Sequence, residues 1–457
     1  MKDARSIDDN LDMIERMDAF KETLSQAWDS GRYDFITLSI YLNDTASLEK
    51  LKAQKEQASC FATLVHEYIH FIQNFTTPQG FTSFITFVDL FAHFFVQNMG
   101  LAADPAIPTR GGIVDTSVGA KTYANFEKSL SLGLVRSLWD GKPLFNSTTR
   151  DNFTFVAGNV TDPYHEKTVF LSNLAYNDQL IPLNTLVIRE NMAAISTFLA
   201  SGLSREAAKE RLLNWSPQYN IIYKFLDHYL PEKDCFKLTY FIAEISLFIL
   251  PYNKTIHKLL LYVKDNNNEL LSLDENGIIE RIKALANFDQ HFRPVLASAQ
   301  ALVDRRIETY LKHANGNEFY VFVITVLRTF QYGFSERLNN PFSYRGAFDI
   351  AFINHYASVI KSPIIIFPDN KKTMLGKVDP DYINAIANFS GILAIFRHTY
   401  SKTITQCPFA EEHSLCDIEK GDECYKDSLS VFGLEQYNGC LMSNALRIIG
   451  LKKEGRF

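Results

Sequence analysis

The sequence predicts an α+β fold that is predominantly α-helical, and three observations support this. Glycine is sparse, at 21 of 457 residues, which favours helices over tightly turned β architecture. Apolar residues recur at helical spacing over most of the chain beyond residue 184. The runs 33–42 and 364–367 are instead rich in β-branched and aromatic residues, which predicts short strands and a small sheet.

The N-terminal half alternates between helical and strand-like segments. Helical periodicity over 6–28 ends at Asp29-Ser30-Gly31, and the strand-like run 33–42 follows. The segment 58–75 contains no Gly or Pro and repeats its apolar residues at helical spacing, so it predicts a helix. The apolar segment 81–99 predicts a second, buried helix. From about 103 to 184, turn residues separate short strand-like runs, which indicates an irregular or β-rich insertion that could line a functional site or equally be a surface elaboration.

Helical periodicity returns after residue 184. The predicted helices span 185–201, 204–214, 221–229, 238–250, 277–286, 294–313, 319–337, 347–360 and 380–400. The polar segment 264–269 is the most plausible linker. The predicted division of the chain is an N-terminal helix at 1–30, a central region at 31–263 that contains the insertion, a helical region at 264–400 and a Cys-containing tail at 401–457.

Composition and charge exclude several classes of partner. The net charge of −6 and the lack of a long basic run argue against nucleic acid. No stretch reaches the ~20 uninterrupted apolar residues that a membrane span needs. The first residues lack the apolar core of a secretory signal, so we expect a cytoplasmic protein. These patterns do not distinguish a monomer from an oligomer.

The segment 66–70 reads His66-Glu67-Tyr68-Ile69-His70, an H-E-x-x-H pentad inside the predicted helix 58–75. Residues four apart lie on one helix face, so both histidines can present imidazole nitrogens to one metal ion. Glu67 lies one step round the helix, where its carboxylate can accept a proton from water beside the metal. The competing interpretation is a pair of hydrogen-bonded core histidines.

A catalytic zinc takes three protein ligands and leaves one position for water, so a third ligand is required. The extension H-E-x-x-H-x-x-G-x-x-H is absent, because position 73 is Gln and position 76 is Thr. A glutamate on a later helix is therefore predicted, and Glu190 is the best candidate because the small Ala193 and Ala194 let its helix approach another closely. The alternatives are Glu244, the runner-up, and Asp89, His93 and Glu166.

The pentad, together with the helix around Glu190, resembles the gluzincin branch of the zincin metallopeptidases. The resemblance covers a small part of the chain and implies a zincin-like catalytic core at 31–263 with one catalytic Zn²⁺. One feature departs from the pattern: the E-x-x-x-D form would put an Asp at position 194, where this chain has Ala194. The group that supports a ligating histidine would then be Asn191, Asn74 or a backbone carbonyl.

The resulting hypothesis is a zinc metallopeptidase that hydrolyses peptide bonds of an intracellular protein or peptide. Glu67 is the predicted general base, and His228 and Tyr229 are the predicted donors to the tetrahedral oxyanion. Tyr223 and Tyr240 are also eligible for that role. The alternative is an inactive zincin-like binding or regulatory module, and a metal hydrolase of a different substrate class is a third interpretation.

Four of the six cysteines lie in the tail. They are Cys407, Cys416, Cys424 and Cys440. Their spacing lacks the paired C-x-x-C units typical of structural zinc sites, so a second zinc, disulfides and free thiols all remain open. Cys60 and Cys235 lie alone in apolar surroundings, which predicts buried free thiols.

Overall fold

The computed structural model describes residues 31–34, 38–43, 58–82, 84–85, 88, 153–162, 167–176, 179–313, 318–367, 372–375 and 382. Several predicted features lie outside these residues. They are the helix 6–28, most of the segments 81–99 and 380–400, the first part of the insertion, the alternative ligands Asp89, His93 and Glu166, and the four tail cysteines.

The described residues form two small sheets and a larger set of helices. The strands are β1 (Gly31–Asp34), β2 (Ser39–Leu42), β3 (Thr154–Asp162), β4 (Lys167–Tyr176), β5 (Gln179–Pro182), β6 (Ile364–Ile366) and β7 (Lys372–Thr373). The helices are α1 (Ala58–Thr76), α2 (Thr185–Ala200), α3 (Arg205–Leu213), α4 (Pro217–Tyr229), α5 (Cys235–Phe248), α6 (Tyr252–Asp265), α7 (Asn267–Leu271), α8 (Glu275–Leu285), α9 (Phe288–His313), α10 (Glu318–Asn339) and α11 (Ile350–Val359). The predicted α+β class with mainly helical content is confirmed. Within these elements, no helix has the length and apolar character needed to cross a membrane.

The first sheet has the strand order β1-β2-β6-β7. The prediction of a single strand over 33–42 is wrong: β1 and β2 are antiparallel, with Gly31 opposite Leu42. The chain reverses between them without a glycine, and Leu38 takes a left-handed φ of 50° instead. Among the described strands, β1 lies at the edge of this sheet. The predicted strand at 364–367 is confirmed as β6, which pairs in parallel with β2.

The second sheet has the order β3-β4-β5 and is antiparallel throughout, as expected for the β-rich insertion. It packs against α6 and α4. Two helices, α6 and α7, occupy a region where no helix was predicted, and the predicted linker 264–269 forms the end of α6, the cap residue Asn266 and most of α7. Helix α5 also contacts α8 and α9, so helices from both sides of residue 264 pack together.

Helix α1 lies in the centre of the molecule, with α2 and α10 against its sides and β1 and β2 against it as well. Its side chains are buried on nearly every face, which explains why the segment is apolar almost throughout. Gly333 of α10 allows the closest approach: a Cβ there would lie 2.1 Å from the carbonyl oxygen of Phe75. The polar residues of α1 are therefore held inside a packed core.

A buried ion pair joins three of these helices. Arg337 of α10 donates to the Glu244 carboxylate at 2.6 Å and to the hydroxyl of Thr76, the last residue of α1, at 3.0 Å. Glu244 also accepts from the backbone N–H of Ser343 at 2.9 Å. Glu244, the runner-up for the third metal ligand, is thus a structural partner of Arg337. Both side chains are almost fully buried, at 0% and 1% exposed.

Loss of Arg337 should destabilise the fold strongly. In Arg337→Met, the Glu244 carboxylate would stay buried without its counter-charge, which is expected to lower the free energy of unfolding by about 3 to 5 kcal/mol. Urea unfolding measures this change. The matched control is Arg281→Met, which removes a solvent-exposed pair with Glu269 and should cost less than about 1 kcal/mol. Equal effects of the two substitutions would contradict the interpretation.

Candidate metal centre

Helices α1 and α2 cross so that three predicted ligands meet. The Nε2 atoms of His66 and His70 lie 3.5 and 3.3 Å from Oε2 of Glu190. The three ligand atoms all lie within 4.8 Å of one another, and all three side chains are buried. The sequence accounts for both helices, because α1 has no Gly or Pro before Pro78 and the side chain of Asn184 caps α2 by accepting from Val187 N.

Two hydrogen bonds fix which nitrogen of each imidazole carries its proton. The Thr197 hydroxyl donates to the Ala193 carbonyl, so its oxygen accepts from Nδ1 of His66 at 2.9 Å. Oε1 of Gln73 has no proton to give, so it accepts from Nδ1 of His70 at 3.0 Å. With the protons on both Nδ1 atoms, the Nε2 lone pairs point toward Glu190.

The spacing of the three atoms fits a metal ion. A tetrahedral zinc with bonds of about 2.0 to 2.1 Å holds its ligand atoms about 3.3 to 3.4 Å apart, close to the two distances found. Two lone pairs directed at a carboxylate oxygen repel one another unless a cation lies between them. Two protonated histidines would also balance the carboxylate, but their ring centroids are only 5.0 Å apart in a buried space. His66, His70 and Glu190 could therefore hold a metal.

Glu190 is electrostatically suited to remain ionised. Burial alone would raise the pKa of its carboxyl, but in the metal-free protein attraction and hydrogen bonding from His70 and His66, with protons on their Nε2 atoms in place of an ion, outweigh burial and lower this pKa well below the ordinary range. A carboxylate in this state is an acceptor that a cation can bind without first displacing a proton.

Glu67 lies beside the three ligands and has the opposite shift. Burial raises the pKa of its carboxyl to about 8; attraction to His66 and the backbone N–H of Tyr33 oppose the increase, and repulsion from Glu190 adds to it. Its Oε2 is buried and has no hydrogen-bond partner among the described residues. Glu67 is thus a buried carboxyl with a pKa close to neutral pH. The backbone N–H of Tyr33 in β1 donates a hydrogen bond to it.

Tyr219 is a residue of this site that the sequence did not single out. Its ring lies 6.5 Å from the His66 ring, centroid to centroid, and Trp215 packs against both rings. Burial and the nearby carboxylates of Glu190 and Glu67 raise the pKa of its hydroxyl, so the phenol keeps its proton. The available signal was Pro217, which marks the start of α4 and places Tyr219 in its first turn.

The predicted oxyanion donors lie elsewhere. His228 and Tyr229 are at the far end of α4, about 14 Å along the helix axis from Tyr219. Their rings contact Phe153 and each other, next to the second sheet. The other two eligible tyrosines are also occupied: Tyr223 packs on Phe236, and the Tyr240 hydroxyl bonds to Ser343 in the Arg337 network.

The candidate supports for the histidines also have other roles. Asn191 donates to the carbonyls of Val187 and Gln218 and accepts from Ile222 N, so it ties α2 to α4. Asn74 accepts from Arg189 at 2.8 Å. The partners of the two rings are instead Thr197 and Gln73.

No family model matches the chain, no curated protein matches it, and no solved structure matches its fold. The resemblance to gluzincins therefore rests on the pentad and on the helix around Glu190. The functional assignment depends on the side-chain geometry of the site.

The stability of the metal-free protein should fall as the pH rises. The folded-state pKa of Glu67, about 8, exceeds the usual 4.5, so between these values the folded state binds more protons than the unfolded state. Across that pH range, this carboxyl lowers the free energy of unfolding by at most about 1.4 kcal/mol per pH unit. Urea unfolding of chelator-treated protein, compared with Glu67→Gln at each pH, isolates the effect. Parallel pH profiles for the two proteins would contradict it.

Proposed function

We propose that this protein is a zinc-dependent hydrolase that cleaves peptide bonds in a protein or peptide. The observation that carries the proposal is the buried convergence of His66, His70 and Glu190, with both Nε2 lone pairs directed at the carboxylate. Two imidazoles and one carboxylate form the ligand set of many catalytic zinc sites and leave a position for water. The same three donors also bind iron(II), and the H-E-x-x-H arrangement, which places Glu67 beside the ligands, favours zinc.

Glu67 acts as the proton carrier in this proposal. A bound zinc would supply Lewis acidity, which acidifies water and polarises a substrate carbonyl. Glu67 takes the proton from the attacking water and delivers it to the departing amine. Its pKa of about 8 belongs to the metal-free site, and a bound cation would lower this pKa so that the carboxylate is free to accept the proton. The Tyr33 N–H holds this carboxylate in place. Tyr219 keeps its proton and donates a hydrogen bond to the negative oxygen that develops during attack.

The edge strand supports a peptide as the substrate. Since the Tyr33 N–H reaches Glu67, this part of β1 directs its backbone groups away from β2 and toward the site. Among the described strands, none pairs with that side of β1. The Tyr33 N–H is already bound to Glu67, so an extended peptide would pair with the other outward backbone groups of β1, which would bring one of its amide bonds close to Glu67.

Metal binding is the first test. Purified protein should contain about one zinc per chain by elemental analysis, and His66→Ala should lose it, because two ligands no longer close the site. The matched control is His228→Ala, which removes a histidine from the aromatic cluster beside Phe153 and should keep the zinc. Zinc loss in both variants, or in neither, would contradict the assignment.

Hydrolysis is the second test. Glu67→Gln should keep the zinc and abolish cleavage, because only the proton carrier is removed. Tyr219→Phe should lower kcat by about 10²- to 10³-fold through loss of one oxyanion donor. Its control is Tyr223→Phe, a buried tyrosine one turn further along α4 that packs on Phe236 and should leave kcat unchanged.

New protein N-termini in cells that express wild-type or Glu67→Gln protein identify the substrates for these measurements. N-termini that appear only with the wild-type protein support a peptidase. If Glu67→Gln binds zinc and preserves every cellular effect of the wild type, a binding module replaces the enzyme. If purified wild type hydrolyses esters or other small substrates but no peptide, the substrate class is wrong.

A further inference from the structure

The proposed metal centre differs from a carboxylate-supported one in the group that holds His70. Position 194, where the E-x-x-x-D pattern would place an Asp, is a buried Ala. We propose that Gln73 and Arg189 together form a positioning pair that fixes the orientation of His70 and supports the metal site with a cation. This inference rests on the proposed metal site and adds residues that contact neither metal nor substrate.

Both ends of the Gln73 amide are bound by Arg189. Nε2 of Gln73 donates to the Arg189 carbonyl at 3.2 Å, and Oε1 accepts from Nε of Arg189 at 3.1 Å. A flipped amide would set its NH₂ against the guanidinium and its oxygen against a carbonyl, so only one orientation is stable. That orientation presents Oε1 to Nδ1 of His70 at 3.0 Å and keeps the imidazole proton on Nδ1.

Arg189 also hydrogen-bonds directly to the end of α1. Its Nη2 donates to Asn74 Oδ1 at 2.8 Å and to the backbone carbonyl of His70 at 3.4 Å. The planar guanidinium therefore holds the backbone of His70, and through Gln73 its ring, from the residue next to Glu190. One side chain thus sets the position of the α1 ligand relative to the α2 ligand.

The charge of this support has a chemical consequence. A carboxylate that accepts from a ligating histidine raises the basicity of the imidazole and strengthens its bond to the metal. The neutral Gln73 amide, which lies beside the Arg189 cation, raises the basicity of His70 less than a carboxylate would. A bound ion would therefore keep more of its Lewis acidity and be bound less tightly. Replacing the amide with a carboxylate should therefore tighten metal binding.

The test is the zinc dissociation constant, measured by competition with a chromophoric chelator at neutral pH. Gln73→Met should weaken binding by about 10- to 100-fold, because the ring loses its acceptor. Gln73→Glu restores an acceptor and pairs with Arg189, so it should bind zinc at least as tightly as the wild type. Arg189→Met should weaken zinc binding less in the Gln73→Met background than in the wild type, because the part of its effect that passes through Gln73 is already lost there.

Two further measurements separate positioning from a general loss of structure. Ser196→Ala removes a buried hydroxyl of α2 that donates to the Met192 carbonyl within its own helix, and it should leave the zinc dissociation constant unchanged. The absorption spectrum of the cobalt-substituted protein should change in Gln73→Met and return toward the wild type in Gln73→Glu, since it reports ligand geometry. Thermal unfolding in chelator shows that each variant is folded.

The outcomes distinguish this inference from the proposed function. A wild-type protein that binds no zinc overturns the metal site itself. Zinc bound by the wild type and equally tightly by Gln73→Met overturns only the positioning role of Gln73. Additive losses in the double variant overturn the coupling and leave Arg189 as an independent packing residue.

Discussion

The contact between α1 and α2 imposes the main physical constraint on this molecule. It places two imidazole nitrogens and a carboxylate oxygen within a few ångströms of one another in a buried space. Burial removes the water that would otherwise separate such electron-rich atoms, so their proximity is stable only with a cation or protons between them. The surrounding structure has to hold the two helices in register against this repulsion.

Several buried polar contacts provide that register. Asn191 ties α2 to α4, Arg189 joins α2 to the end of α1, and Arg337 joins the last residue of α1 to α5 and α10. Each of these residues bridges helices that are far apart in sequence. The absence of a side chain at Gly333 lets α10 lie directly against α1. Polar bridges of this kind fix a specific packing arrangement, whereas apolar contacts alone permit sliding.

The sequence predicted the parts of the site that depend on one helix at a time. Two histidines four residues apart lie on the same face of a helix. A glutamate beside small residues on an apolar helix is expected to contact another helix. Both arguments need only local periodicity. Tyr219 was missed because its position depends on how α4 packs on α2. The reversal at Leu38 was missed because it uses no Gly or Pro. Thr197, which supports His66 from α2, likewise depends on the mutual orientation of two helices. Gln73 lies on α1 three residues after His70, so helical spacing alone places it beside that ring.

The two buried glutamates of the site illustrate how position assigns a role. Both lose water, which raises the pKa of either carboxyl. Glu190 contacts both imidazoles and stays ionised, as a ligand requires, whereas Glu67 has weaker compensation and holds its proton until near neutrality. Repulsion between the two carboxylates adds to this difference. Paired carboxyls with opposite pKa shifts are typical of sites in which one binds charge and the other moves protons. In the proposed hydrolase, this division gives Glu190 the binding of the ion and Glu67 the transfer of protons.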